Sequence, residues 1–117
     1  MKKAVVDFFN NEINLKQLKD VCGTNLHSIK TDFTIEVRAS NVAGVIKRYL
    51  HKQISLQDLV DWVNVVWFTD LFDYAPEEED SIASVMSELE TMDEEGVCFS
   101  EKQLSEMIYC LMQNREY

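Results

Sequence analysis

The side chains with the means to do chemistry in this chain are mostly carboxylates: 21 Asp and Glu against 11 Lys and Arg, with two histidines and three cysteines. Carboxylates can ligate metals, move protons or accept cations from a partner, and their spacing decides which. Met92-Asp-Glu-Glu-Gly-Val-Cys-Phe-Ser-Glu-Lys102 has the outline of a calcium loop between two helical patterns. With Gly96 in the sixth position, the first falls on Thr91 and the twelfth on Lys102, where a bidentate Glu is required. The stretch therefore reads as an acidic helix-to-helix turn. His27 and His51 are isolated, and Cys22, Cys98 and Cys110 lack C-x-x-C spacing, so neither a zinc site nor a disulfide framework is indicated. A general acid–base pair needs two carboxyls whose pKa values are driven apart by burial, yet these acids cluster where the apolar pattern stops. No nucleophile elbow or phosphate-cradling glycine loop is present. The residues point to no enzyme, no metal and no cofactor.

What remains is recognition. Asp70, Phe72, Asp73 and Tyr74 are followed closely by Glu77, Glu78, Glu79 and Asp80. Acids interleaved with aromatics suit a protein–protein interface, in which the rings supply anchoring area and the carboxylates accept Arg or Lys. The competing reading is structural: Phe72 and Tyr74 close the core, and the acids favour the start of the next helix. A second acidic cluster, Glu88, Glu90, Asp93, Glu94 and Glu95, has no aromatic within it.

The charge is unevenly placed. Residues 1–54 hold nine Lys and Arg against five Asp and Glu, whereas residues 55–117 hold two against sixteen. The net charge of −10 argues against nucleic-acid binding, which needs cations to displace counterions from phosphates. It suits fast encounter with a basic partner, or a solvated face that keeps the chain soluble. The opening Met-Lys-Lys-Ala-Val-Val-Asp-Phe-Phe is interrupted by Asp7, Asn10, Asn11 and Glu12 before any export signal forms, so a cytosolic protein is expected.

The elements that must position these acids are helical. A chain of 117 residues with three glycines and one proline fits one domain, 1–117, built from five or six helices with at most one short strand segment. Ser55-Leu-Gln-Asp58 opens the central helix, expected over about residues 55–74. Leu56, Leu59, Val60, Val63, Trp67 and Leu71 recur at helical spacing, and Trp62, Val65, Val66 and Phe68 widen the apolar face. This helix is too short and too flanked by charge to cross a membrane. Other helices are expected over residues 3 to about 11, after Asn14 with Val21 facing inward and Gly23 as the stop, and after Ser40. The last two follow Pro76 and Ser100, the final one with Met112 facing inward. Gly44 is expected to let another helix come close. Phe33 to Val37 alternates like a half-buried strand, but no partner strand is evident. An apolar residue precedes a cap at Ile13-Asn14, Ile54-Ser55 and Phe99-Ser100, the pattern of a hydrophobic staple.

The segment Ile46-Lys-Arg-Tyr-Leu50…Ile54-Ser-Leu…Leu59…Trp62-Val-Asn64-Val-Val-Trp67-Phe68…Asp70…Phe72-Asp-Tyr74, with Ile82-Ala-Ser-Val-Met-Ser-Glu-Leu-Glu90…Met92-Asp-Glu-Glu-Gly96, resembles small helical bacterial immunity proteins of contact-dependent growth inhibition and polymorphic toxin systems. The likeness covers residues 46 to 96 and is one of general pattern. It implies a cytosolic protein that binds a cognate, basic, nuclease-type toxin domain one-to-one and neutralises it by occlusion. The alternative from the residues alone is a small acidic regulatory or adaptor domain for another basic protein.

Overall fold

Three helices start in the same way, and the reason is local. Asn14, Ser55 and Ser100 each accept a hydrogen bond from the backbone N–H three residues on, while Gln17, Asp58 and Gln103 accept one from the cap residue's own N–H. Each reciprocal pair satisfies two backbone donors that a helix start would leave free. Ile13, Ile54 and Phe99 precede the caps and lie half-buried against the core. Four residues after the caps, Leu18, Leu59 and Leu104 are buried. Both residues of each staple expected from the sequence therefore lie in or against the core at all three sites.

The computed structural model describes residues 1–117. It contains α1 (Lys2–Phe9), α2 (Leu15–Cys22), β1 (Ile35–Val37), α3 (Ala39–Leu50), α4 (Leu56–Phe68), β2 (Phe72–Tyr74), α5 (Glu79–Leu89) and α6 (Glu101–Met112). Short 3-10 turns occupy Leu26–Ser28, Pro76–Glu78 and Glu90–Asp93. The fold is mainly α. One contiguous cluster of 26 buried residues forms its core. The radius of gyration, 13.7 Å, is close to the roughly 13 Å that a compact chain of this length should have. No helix is long and apolar enough to cross a membrane.

Helix α4 is the centre. It touches α1, α2, α3 and α5, while α6 lies along α3. Trp62 is fully buried, and its indole N–H donates to the Phe9 carbonyl at 2.9 Å, the partner a buried indole requires. Its ring stacks on Phe9 at 5.6 Å, and Phe9 meets Phe72 at 5.4 Å. This aromatic cluster joins α1, α4 and β2.

Several expectations are corrected. The central helix stops at Phe68 rather than near Tyr74, because Thr69 is extended at φ −112°, ψ 163°. Asp70 and Asp73 would oppose the negative end of the helix dipole if the helix continued through them. The segment Phe72–Tyr74 is instead a strand, and it is the partner that Phe33–Val37 lacked: β1 and β2 pair in parallel, Ile35 with Phe72, Glu36 with Asp73 and Val37 with Tyr74. Ser40 does not cap α3. That helix starts two residues earlier, with Arg38 as cap residue and the Asn41 side chain accepting from the Arg38 N–H at 2.8 Å. Gly44 does not make room for another helix on its Cβ side, where an added Cβ would meet only the Arg48 guanidinium at 3.7 Å. Val21 and Met112, expected inward, are exposed, as is Leu56 at the first turn of α4.

Candidate protein-binding surface

The acids of the junction are positioned by how α4 ends. The last carbonyls of a helix lack intrahelical partners, and here side chains supply three of them. Thr69 Oγ1 donates to the Val65 carbonyl at 2.6 Å, Tyr74 Oη to that of Val66 at 2.7 Å, and His27 Nδ1 lies 3.1 Å from that of Phe68. A carbonyl can only accept, so His27 must carry its proton on Nδ1 in this contact. The last turn of α4 contains no Lys or Arg. The negative end of the helix dipole and the carboxylate of Asp70 therefore add at one place.

The strand then sorts the junction by its pleat, since alternate residues point to opposite faces. Phe72 is buried in the aromatic cluster, and Tyr74 is half-buried, edge-on to Trp67 at 5.7 Å. Burial pushes the Tyr74 phenol well above its ordinary value. Asp73 points outward and accepts a hydrogen bond from the Thr34 hydroxyl. Opposite it in the register is Glu36, a like charge on the neighbouring strand. Thr34, Glu36, Asp73, Tyr74, Ala75, Pro76 and Glu79 line an open depression over this face of the sheet.

Beyond the strand, two acids are committed to the chain itself. Glu78 accepts from the Ala39 N–H at 3.2 Å and so caps the start of α3 from a distance. Glu77 pairs with Arg38 at 2.7 Å. A hydrogen bond at the Glu77 backbone, then the Arg38 guanidinium, hold the Glu77 carboxyl below its ordinary value. Arg38 also reaches Glu36 at 2.6 Å and Glu78 at 3.7 Å.

The eight candidate residues therefore separate. Phe72, Tyr74 and Glu78 hold the fold together, and Glu77 is shared with Arg38. Asp70, Asp73, Glu79 and Asp80 are exposed and outside any ion pair. Of these, Asp73 and Glu79 share the depression, while Asp70 lies on the preceding turn and Asp80 in the first turn of α5.

Two contributors escaped the sequence reading. Phe68 is 49% exposed at the end of α4, directly before the buried Thr69 and the exposed Asp70. No signal in the sequence marks it: Phe68 groups with Trp62, Val65 and Val66 in the widened apolar face, and those three are buried where Phe68 is not. Glu36 had no signal either, because only its pairing opposite Asp73 brings it to this face. Elsewhere, no group of three or more His, Cys, Asp or Glu side chains converges to hold a metal ion.

Comparison of the chain with protein-family models, curated proteins and solved structures returns no match.

Proposed function

We propose that this chain is an immunity-type protein: in the cytosol it binds one basic toxin domain, one-to-one, and neutralises it by occlusion. The docking face runs from Phe68 and Asp70 to the outer side of the sheet, where Glu36, Asp73 and Glu79 stand. The observation that carries the reading is the exposed Phe68 two residues before the exposed, unpaired Asp70, at a helix end with no cation of its own. An apolar ring among acids suits a basic partner in two ways. The ring supplies desolvated anchoring area, and the carboxylates steer encounter and accept guanidinium forks. The helix dipole adds negative potential at the same place.

The test is co-purification of the tagged protein from its native cells, or with the product of the neighbouring gene. A tight one-to-one complex with a basic toxin domain, protective on co-expression, supports immunity. A complex with a basic protein that is not toxic would favour an adaptor. Within such a complex, Asp70→Asn, Asp73→Asn and Glu79→Gln combined should weaken affinity at least tenfold, about 1.4 kcal/mol. Phe68→Ala should cost about 2 kcal/mol of binding. The far-ultraviolet circular dichroism of both variants should be unchanged. Unaltered affinity in the folded variants would move the interface elsewhere, first to the Glu88–Glu95 cluster.

A further inference from the structure

Three of the four ion pairs in the molecule belong to Arg38. Its guanidinium spreads over Glu36, Glu77 and Glu78, from β1 and from the turn that precedes α5. No other Lys or Arg pairs with an acid between residues 70 and 80. The backbone there has hydrogen bonds that the guanidinium does not make. The Arg38 N–H donates to Asn41, and the Ala39 N–H donates to the Glu78 carboxylate at 3.2 Å, closer than the 3.7 Å at which the guanidinium lies from the same oxygen. The Arg38 side chain is 48% exposed, a setting in which each ion pair contributes little and can exchange. One of its carboxylates, Glu36, also lines the depression beside Asp73 and Glu79.

We propose that Arg38 is an internal competitor for the acidic face: a guanidinium of the chain itself that occupies carboxylates which an arginine of a basic partner takes in the complex. This rests on the partner-binding reading above. The contact lowers the negative potential of the face in the free protein, and it releases Glu36 and Glu77 when a stronger guanidinium donor arrives. It therefore sets a threshold. A partner offering a single lysine gains less by displacing Arg38 than one offering forked arginines, because the ammonium cannot reproduce the bidentate geometry.

The experiment is calorimetric titration at low salt with hexa-arginine, acetylated and amidated at its ends. Four proteins are compared: wild type, Arg38→Gln, Lys16→Gln, and the combined Asp70→Asn, Asp73→Asn and Glu79→Gln variant. Lys16 is exposed on α2 and unpaired, so its loss changes the net charge equally without touching the face. Arg38→Gln should bind the peptide about fivefold tighter than wild type, and Lys16→Gln should show no comparable gain. Arg38→Lys keeps the charge but loses the fork, and should fall between wild type and Arg38→Gln. Equal affinities for Arg38→Gln and Lys16→Gln, or a loss in Arg38→Gln while it remains folded, would overturn the competitor role. Wild type binding no better than the variant lacking the three acids would instead sink the docking face itself.

Discussion

The two ends of α4 are held by opposite strategies. At its start, Ser55 and Asp58 satisfy each other's backbone N–H groups within a four-residue window. At its finish, the free carbonyls are served by Thr69, by Tyr74 from the next strand and by His27 from a distant turn. A local device needs no tertiary structure to form, whereas a distributed one exists only after the Leu26–Ser28 turn, β2 and α4 have come together. The first end is closed by its own residues and carries a matched charge, since Asp58 sits at the positive end of the dipole. The second carries unmatched charge and an exposed ring. One end matches its charge locally, and the other has no cation of its own in the last turn of the helix.

The sharpest way to break this comparison is to remove what holds both ends to the same core. Trp62 lies in the middle of α4, fully buried, donating to Phe9 and stacked upon it. Trp62→Ala should cost about 4 kcal/mol of stability through lost contacts and the cavity left behind. Urea titration followed by circular dichroism would measure it. A cost below about 1 kcal/mol would mean that α1 is not anchored through this ring.

Next in size is the finish of the helix. Tyr74→Phe keeps the ring against Trp67 and removes only the hydroxyl that serves the Val66 carbonyl. The cost should be about 1–2 kcal/mol, because a partly buried acceptor loses its partner. The pH dependence gives an independent readout. The folded protein holds the Tyr74 proton well above the ordinary value of 10.0, so the unfolded chain loses that proton first as the pH climbs. The stabilisation is complete below 10.0 and is lost progressively above it. Wild type should therefore weaken through that alkaline range more steeply than Tyr74→Phe. Parallel curves would show that the phenol is not held in its neutral form by the fold.

The same contrast explains what could be read from the residues alone. Caps at Asn14, Ser55 and Ser100, the Gly23 stop and most of the apolar stripes depend on neighbours within a turn or two, and they were legible. The finish of α4 was not. Leu71 continues the helical spacing from Trp67, so the pattern runs on past a helix that has already ended at Phe68. The two strands are three residues each, too short for alternation to compete with that longer periodicity, and each has the other as its only strand partner. For the candidate face, the excess of acids and their aromatic neighbours were legible in the sequence. It could not show that a strand's pleat would send Phe72 inward and Asp73 outward. Nor could it show that Arg38, from the more basic half, would cross to Glu77 and Glu78.

The smallest effect belongs to the start of the helix, and it tests whether that end is as self-contained as it looks. Ser55→Ala removes the hydroxyl that accepts from the Asp58 N–H at 3.1 Å and leaves Asp58 free to keep its bond to the residue 55 N–H at 3.0 Å. The loss should be about 1 kcal/mol, the usual cost of deleting a cap. It should shift the urea midpoint without changing the slope of the transition, because no apolar surface moves. The consequence for recognition differs from that of any change at the other end. Ser55→Ala should leave the affinity for hexa-arginine unchanged, since the Ser55 cap is separated from Phe68 by the full length of α4. A weakened affinity in this variant would mean that the two ends are coupled through the helix, and that the acidic face depends on more than its own residues.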